Sequence, residues 1–344
     1  MAPVRNAKVL FNEIPTGYPE PGKTTVYDTS STIDLESAPL NGGVLVKVLY
    51  LSADPYMRGK MRDASIVSYS PAYIIGQPIY GFGVGKVVRS ESERFKPGDI
   101  VHTPLLEYAE YSIQTYLDYL EKIVPEPGLP LSVYVGALGM PGKTAYFAWK
   151  EYSKAKKGEI AFVSGAAGPV GTFVIQLAKL DGMKVIGSAG TDEKVELAKR
   201  VGADVAFNYK TTSTEEVLAK EGPIDVYWDN VGGSTLDAAL GNAAFHSRFI
   251  ECGMISGYNS KEGVHMKNLM NIVARRIAMN GFIQSDLASK WNKEFNEVVP
   301  KKLVNGEIKH TEDISKGLEH AGEALLEVQT GKNKGKKVIV VAED

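Results

Sequence analysis

From residue 4 to about 125, short apolar runs are broken by glycine and proline, as in Gly43–Ala53 (GVLVKVLYLSA) and Ile79–Val88 (IYGFGVGKVV). That pattern predicts strands, and the stretch reads as an irregular all-β unit. Phe95–Asp99 (FKPGD) forms a proline and glycine corner ahead of the apolar run 100–103. From about residue 130 the rhythm changes. Strand-length runs at 159–164, 184–188, 204–208, 224–229 and 248–252 alternate with helix-length segments, the signature of βαβ units and a parallel sheet. In the segment 192–201, Val195, Leu197, Ala198 and Val201 fall on one side, as a helix covering a sheet requires. A last apolar run, 337–342, is available to return to the N-terminal β unit, and the run 276–283 (RIAMNGFI) to continue a sheet into a partner.

Length and composition narrow the class. A chain of 344 residues predicts two domains. With 39 basic against 41 acidic side chains and no long basic run, nothing favours nucleic acid or an anionic membrane as a partner. Cys252 is the only cysteine, so no intrachain disulfide forms, which fits a reducing compartment such as the cytosol. No apolar stretch suits a signal sequence or a membrane span, and a soluble protein is expected.

The chemistry begins at Val163–Gly171 (VSGAAGPVG), a small-residue loop between a predicted strand and a predicted helix. Gly165, Gly168 and Gly171 suit the tight turn and close backbone approach by which a Rossmann helix N-terminus meets a pyrophosphate. The spacing is G-x-x-G-x-x-G, so placement carries more of the inference than the pattern. At the end of the next strand, 187–191 (GSAGT), no carboxylate stands where an NAD site holds its ribose hydroxyls. Lys194 follows within one helical turn, suited to a 2′-phosphate, and NADP is expected over NAD.

Other chemistries compete. Ala137–Thr144 (ALGMPGKT) fits a relaxed P-loop, with Asp229 imitating a magnesium-binding aspartate, so an NTPase is an alternative. One cysteine and five scattered histidines show no ligand spacing, so no metal is expected. If a bound cofactor supplies hydride, the protein must orient the acceptor and deliver a proton, tasks suited to tyrosine; Tyr258 and Tyr56 stand out by placement.

Several motifs in one order then become recognisable: 54–59 (DPYMRG), 138–142 (LGMPG) with 144–146 (TAY), 208–210 (NYK), 229–233 (DNVGG) and 331–333 (GKN). Together they resemble the zinc-independent medium-chain dehydrogenases/reductases, in the alkenal double-bond reductase and prostaglandin reductase branch, over nearly the whole chain. The resemblance implies an α/β fold: a GroES-like β-rich catalytic domain built from both chain ends (1–128 and 305–344) and a doubly wound Rossmann domain (129–304), in a homodimer. It implies NADPH-dependent reduction of the C=C bond of enals and enones, with hydride delivered to the β-carbon and the α-carbon protonated.

Carried over by motif, Gly168, Pro169, Val170 and Gly171 hold the pyrophosphate, and Lys194 and Tyr209 the adenosine phosphate end. Asn230, Cys252, Gly253, Met254, Ile255, Ser256, Tyr258, Phe282, Ile283, Gln284 and Asn333 complete the cofactor site. Tyr258 matches the tyrosine that donates the proton or supports the enolate; Tyr56, Tyr80 and Phe82 line the substrate side. Phe82 departs from the tyrosine often found in plant members, and Lys143 interrupts an apolar Gly-Met-Thr segment. Quinone or carbonyl reduction on the same scaffold, and a non-catalytic NADPH-binding protein, are further alternatives.

Overall fold

A strand buried on both faces cannot alternate apolar with polar side chains, and Ile160–Val163 (IAFV) does not. In the computed structural model, which describes residues 2–260 and 262–343, it is an inner strand of a six-stranded sheet. Across that sheet lie Val205–Asn208, Lys184–Ala189, Ile160–Val163, Ile224–Asp229, Ala243–Glu251 and Ala278–Gly281, all parallel. Counted along the chain, the order is 3-2-1-4-5-6, that of a doubly wound Rossmann sheet. Because the order reverses between the first and fourth strands, the loops leaving Val163 and Asp229 run side by side, which is where such sheets bind ligands.

Helices follow the strands at Pro169–Leu180, Asp192–Arg200, Thr214–Glu221 and Gly233–Gly241. Asp192–Arg200 starts where the Thr191 hydroxyl accepts the Lys194 N–H (3.3 Å). Asp192 and Glu193 in its first turn and Lys199 and Arg200 in its last oppose the helix dipole. It buries Val195, Leu197 and Ala198, the side that its periodicity marked.

Met140–Thr311, which carries this sheet, is one of two compact units; Met1–Gly139 with Glu312–Asp344 is the other. In the latter, Lys336–Val340 pairs antiparallel with Val44–Ser52, Val338 opposite Ser52. The sheet runs Glu312–Lys316, Lys336–Val340, Val44–Ser52, Tyr80–Ser90, Ile100–Glu107, Glu121–Ile123, and Tyr111–Gln114 also pairs with Val44–Ser52. Phe11, Val46, Leu51, Tyr108, Leu325 and Ile339 share its core, so both chain ends contribute to one apolar interior. The Phe95–Asp99 corner is structural: Asp99 accepts the Lys96 N–H (3.1 Å) and pairs with Lys122 (2.6 Å).

The P-loop alternative is corrected here. Leu131–Val135, the segment ahead of it, is a 3₁₀ turn and not a strand, and Gly142, Lys143 and Thr144 lie inside the helix Met140–Ala148. No strand leads into that helix and no loop precedes its lysine, so the strand–loop–helix context of a P-loop is absent there. Among the described residues no helix is long and apolar enough to cross a membrane.

Candidate functional site

The loop 164–168 and the helix it feeds owe their shape to two glycines. Gly165 has φ +62°, and a side chain there would also press on Asn230, 3.2 Å from its Cβ. Gly171 has an ordinary φ but no room: a Cβ would collide with the Gly165 carbonyl oxygen and stand 2.9 Å from Ala166 Cα. Gly168 is different, since a Cβ there meets no protein atom closer than 3.4 Å. Gly168 caps Pro169–Leu180 without a side-chain bond, and Pro169 has no N–H. The first turn therefore presents the N–H groups of Val170 and Gly171 without intrahelical acceptors, at the positive end of a twelve-residue helix. That arrangement fits a pyrophosphate.

A buried carboxylate ties this loop to its neighbour. Asp229 is fully buried, and its Oδ1 accepts from Ser164 Oγ (3.0 Å), the Tyr227 hydroxyl (2.7 Å), and the N–H groups of Val231 and Gly232 (both 2.8 Å). Ser164 Oγ in turn accepts the Asn230 N–H (2.9 Å). Asn230 spends its side chain inside the same assembly, donating to Ser164 O (2.6 Å) and accepting from Trp228 Nε1 (3.1 Å). The third segment, 252–258, is stapled on by backbone: the N–H groups of Cys252 and Gly253 bind Asp229 O (2.9 and 3.1 Å), and those of Ile255 and Ser256 bind Asn230 O (3.3 Å) and Val231 O (3.1 Å). Met254 is exposed. Burial, then the charges of Asp229 and Glu251, push the Cys252 thiol up to about 12, so it is held neutral.

Around the second strand tip, Tyr209 lies over the backbone of Gly190, while Thr191 caps the helix that carries half-buried Lys194. The nearest acid along the chain, Asp192, accepts from Asn208 Nδ2 (2.9 Å). Lys194 and Tyr209 thus flank one turn that has no carboxylate at the strand tip. Tyr258 folds back over its own loop, its hydroxyl accepting the Met254 N–H at 3.4 Å. Phe282 packs its ring against Tyr152 and Trp228 (6.2 and 5.9 Å between centroids), between the edge strand and the turn of Ile283 and Gln284.

Tyr56, Tyr80, Phe82 and Asn333 belong to the other unit. Phe82 meets Tyr56 edge-on (6.2 Å) and stacks on His102 (5.7 Å). Burial, and then Asp54, hold the Tyr56 phenol well above its ordinary pKa of 10, so it keeps its proton and remains able to donate a hydrogen bond. Asn333 donates to Gly335 O (2.9 Å) at the start of the C-terminal strand. Sequence reasoning missed the support beneath this group. Lys60 is 3% exposed, its ammonium 3.4 Å above the Tyr80 ring and 4.7 Å from Tyr73, with no carboxylate in ion-pair reach among the described residues.

Desolvation, helped by Arg62, lowers the Lys60 pKa to about 7. The unfolded chain binds this proton up to about pH 10.5, so the penalty is complete below pH 7 and lifts as pH rises between the two values. Lys60→Met should therefore stabilise the protein by about 2–4 kcal/mol at pH 6 and by almost nothing at pH 10.5. Urea denaturation at both pH values reads the difference; an equal gain at each would refute it.

Comparison with known proteins adds what geometry alone cannot. A family model described as "N-terminal domain of oxidoreductase" matches residues 8–121, and one described as "Zinc-binding dehydrogenase" matches residues 169–301. A 2-alkenal reductase (NADP(+)-dependent) of Nicotiana tabacum is 42% identical, the alignment covering 99% of each chain. A (+)-pulegone reductase of Mentha piperita is 38% identical over 99% of this chain and all of that one.

The chain belongs to the alkenal and enone reductase branch of the medium-chain dehydrogenases/reductases.

Among solved structures, CurA of Vibrio vulnificus in complex with NADPH superposes on this reductase with a TM-score of 0.89 at 32% identity, over 98% of this chain and all of the other. Among the described residues, no three His, Cys, Asp or Glu side chains gather where a metal ion could be held. The motif DNVGG pointed at Asp229, yet its bonding partners Ser164 and Tyr227 come from separate strand positions and carried no local signal.

Proposed function

We propose that this protein reduces the C=C bond of small α,β-unsaturated aldehydes and ketones with NADPH, as a zinc-independent cytoplasmic homodimer. The observation that carries the reading is the glycine cradle at Gly165–Gly171 facing a strand tip without a carboxylate, flanked by Lys194 and Tyr209. Full-length similarity to the tobacco and peppermint reductases supports the substrate class.

NADPH, when bound, supplies the hydride. The N–H groups of Val170 and Gly171 hold its pyrophosphate, Lys194 with Tyr209 its 2′-phosphate, and residues 252–258 and 282–284 with Asn333 the remainder. Tyr56, Tyr80 and Phe82 pack the acceptor. Tyr258 donates toward the carbonyl oxygen. Assignment of residues 1–128 and 305–344 to catalysis, and of 129–304 to the nucleotide, follows from the same reading. For the dimer, the support is an open edge: Ala278–Gly281 ends the sheet with Met279 and Ile283 exposed, and a second copy can extend the ladder.

NADPH oxidation with a 2-alkenal and with an aryl enone, with products identified by mass, tests this. Saturated carbonyls are the expected products; allylic alcohols would transfer the reading to carbonyl reduction. Lys194→Ala should raise the KM for NADPH about 10-fold or more while leaving that for NADH within about twofold, since it removes one charged contact to phosphate.

A further inference from the structure

The mechanism leaves unused one pair of acids, Asp229 and Glu251, whose carboxyl oxygens are buried. Asp229 and Glu251 are register partners on adjacent parallel strands, at the carboxyl edge of the sheet. Asp229 Oδ1 carries the four hydrogen bonds described above, but its Oδ2 and both carboxyl oxygens of Glu251 are buried and receive no hydrogen bond from any N–H or hydroxyl among the described residues. No lysine, arginine or histidine among them pairs with either acid. Two ionised carboxylates in such a place repel each other and lack solvation; one proton between them removes both faults and supplies the missing donor.

We propose that Glu251 is a positioning residue of the nucleotide site: it shares a proton with Asp229 Oδ2, and that proton keeps the three loops that Asp229 ties together in register. The loops are 164–168, held through Ser164, the turn 230–233, held through the Val231 and Gly232 N–H groups, and 252–258, whose first two N–H groups bind Asp229 O. The proposal rests on the nucleotide reading for its consequence, but the shared proton stands on the fold alone.

The groups facing the pair do not compete for the proton. Tyr227, bonded to Asp229, is pushed well above 10, chiefly by burial, and Cys252 is pushed up to about 12. Ser164 comes from the first strand, and from the edge strand Gly281 stands opposite Glu251, bringing no charge. Burial first, then Asp229, raises the Glu251 carboxyl to about 9. The sign follows: between its ordinary 4.5 and about 9 the folded protein holds a proton that the unfolded chain has released, so stability falls as pH rises through that window.

Glu251→Gln separates the possibilities, because an amide N–H donates to Asp229 Oδ2 at every pH. Thermal unfolding without nucleotide should show the wild-type Tm falling from about pH 5 to about pH 9 and the variant's falling distinctly less. Kd for NADPH, read by fluorescence, should rise about fivefold or more in the wild type between about pH 8 and pH 10, while the variant stays within about twofold. Parallel Tm profiles for the two proteins overturn the proposal whatever the nucleotide does, and so does a parallel loss of NADPH affinity. If NADPH binds to neither protein at any pH, the nucleotide reading fails while the Tm profiles still decide the proton. Should the variant not fold, infrared spectra of the wild type decide: a neutral-carboxyl C=O band at pH 7 that is gone by about pH 10 is expected, and its absence at pH 7 refutes the shared proton.

Discussion

Lys336→Met is expected to lower the free energy of unfolding by about 3–5 kcal/mol, the usual consequence of removing one partner of a buried ion pair. Lys336 and Asp54 are 3% and 2% exposed at their side chains, with Nζ 2.8 Å from Asp54 Oδ1 and 2.7 Å from Ala53 O. Ser52 Oγ donates to the other carboxylate oxygen, and the Tyr108 hydroxyl bonds Ser52 O (2.6 Å). Methionine matches the lysine stem in volume, so little packing is lost; the damage comes from leaving Asp54 ionised, buried and short of a partner. Asp54→Asn in the same chain removes the orphaned charge and should recover roughly half of the loss. Urea denaturation of both variants measures it, and a loss below about 1 kcal/mol for Lys336→Met would show the pair to be solvated in solution.

That pair also bears on the site. Asp54 is two residues from Tyr56, and Gln329 Nε2 donates to Pro55 O (2.9 Å), so the C-terminal helix and strand hold the turn that aims the phenol. A weaker KM for the enone, with the NADPH KM unchanged, should accompany the stability loss in the part of Lys336→Met that stays folded.

The second large effect is expected at Gly171. Gly171→Ala inserts a methyl group against the Gly165 carbonyl and Ala166 Cα, so either the helix or the loop must move. A shift of a few tenths of an ångström misaligns the N–H groups at the start of Pro169–Leu180 from the pyrophosphate. We expect the Kd for NADPH to rise about 100-fold and the stability to fall by about 1–3 kcal/mol, the range for overpacking. Gly168→Ala is the internal control. Its Cβ meets only ordinary van der Waals contact with the protein, so stability should change by less than about 0.5 kcal/mol. Calorimetric titration with NADPH and thermal unfolding read both variants, and equal behaviour of the two would remove the close-approach argument.

Much of the architecture was written locally. The apolar run IAFV, the change from short β-like runs to alternating strands and helices, and the cap at Thr191 each act over a few residues, and each produced the element expected. So did the glycine loop, because a tight turn and a close approach are demands on single residues. The family resemblance carried the reaction further than any one pattern, since it rests on several motifs in one order.

What only the tertiary structure decided is which distant groups meet. Nothing local marks Lys60; its place against the rings of Tyr73 and Tyr80 is set by packing. Lys336 meets Asp54 from the other end of the chain, and Glu251 meets Asp229 only because strands four and five pair in a register that sets them opposite. Amino-acid type and spacing determine which backbone shapes are accessible. The environment that sets charge and proton affinity depends on packing between segments far apart in sequence, and no local pattern records that.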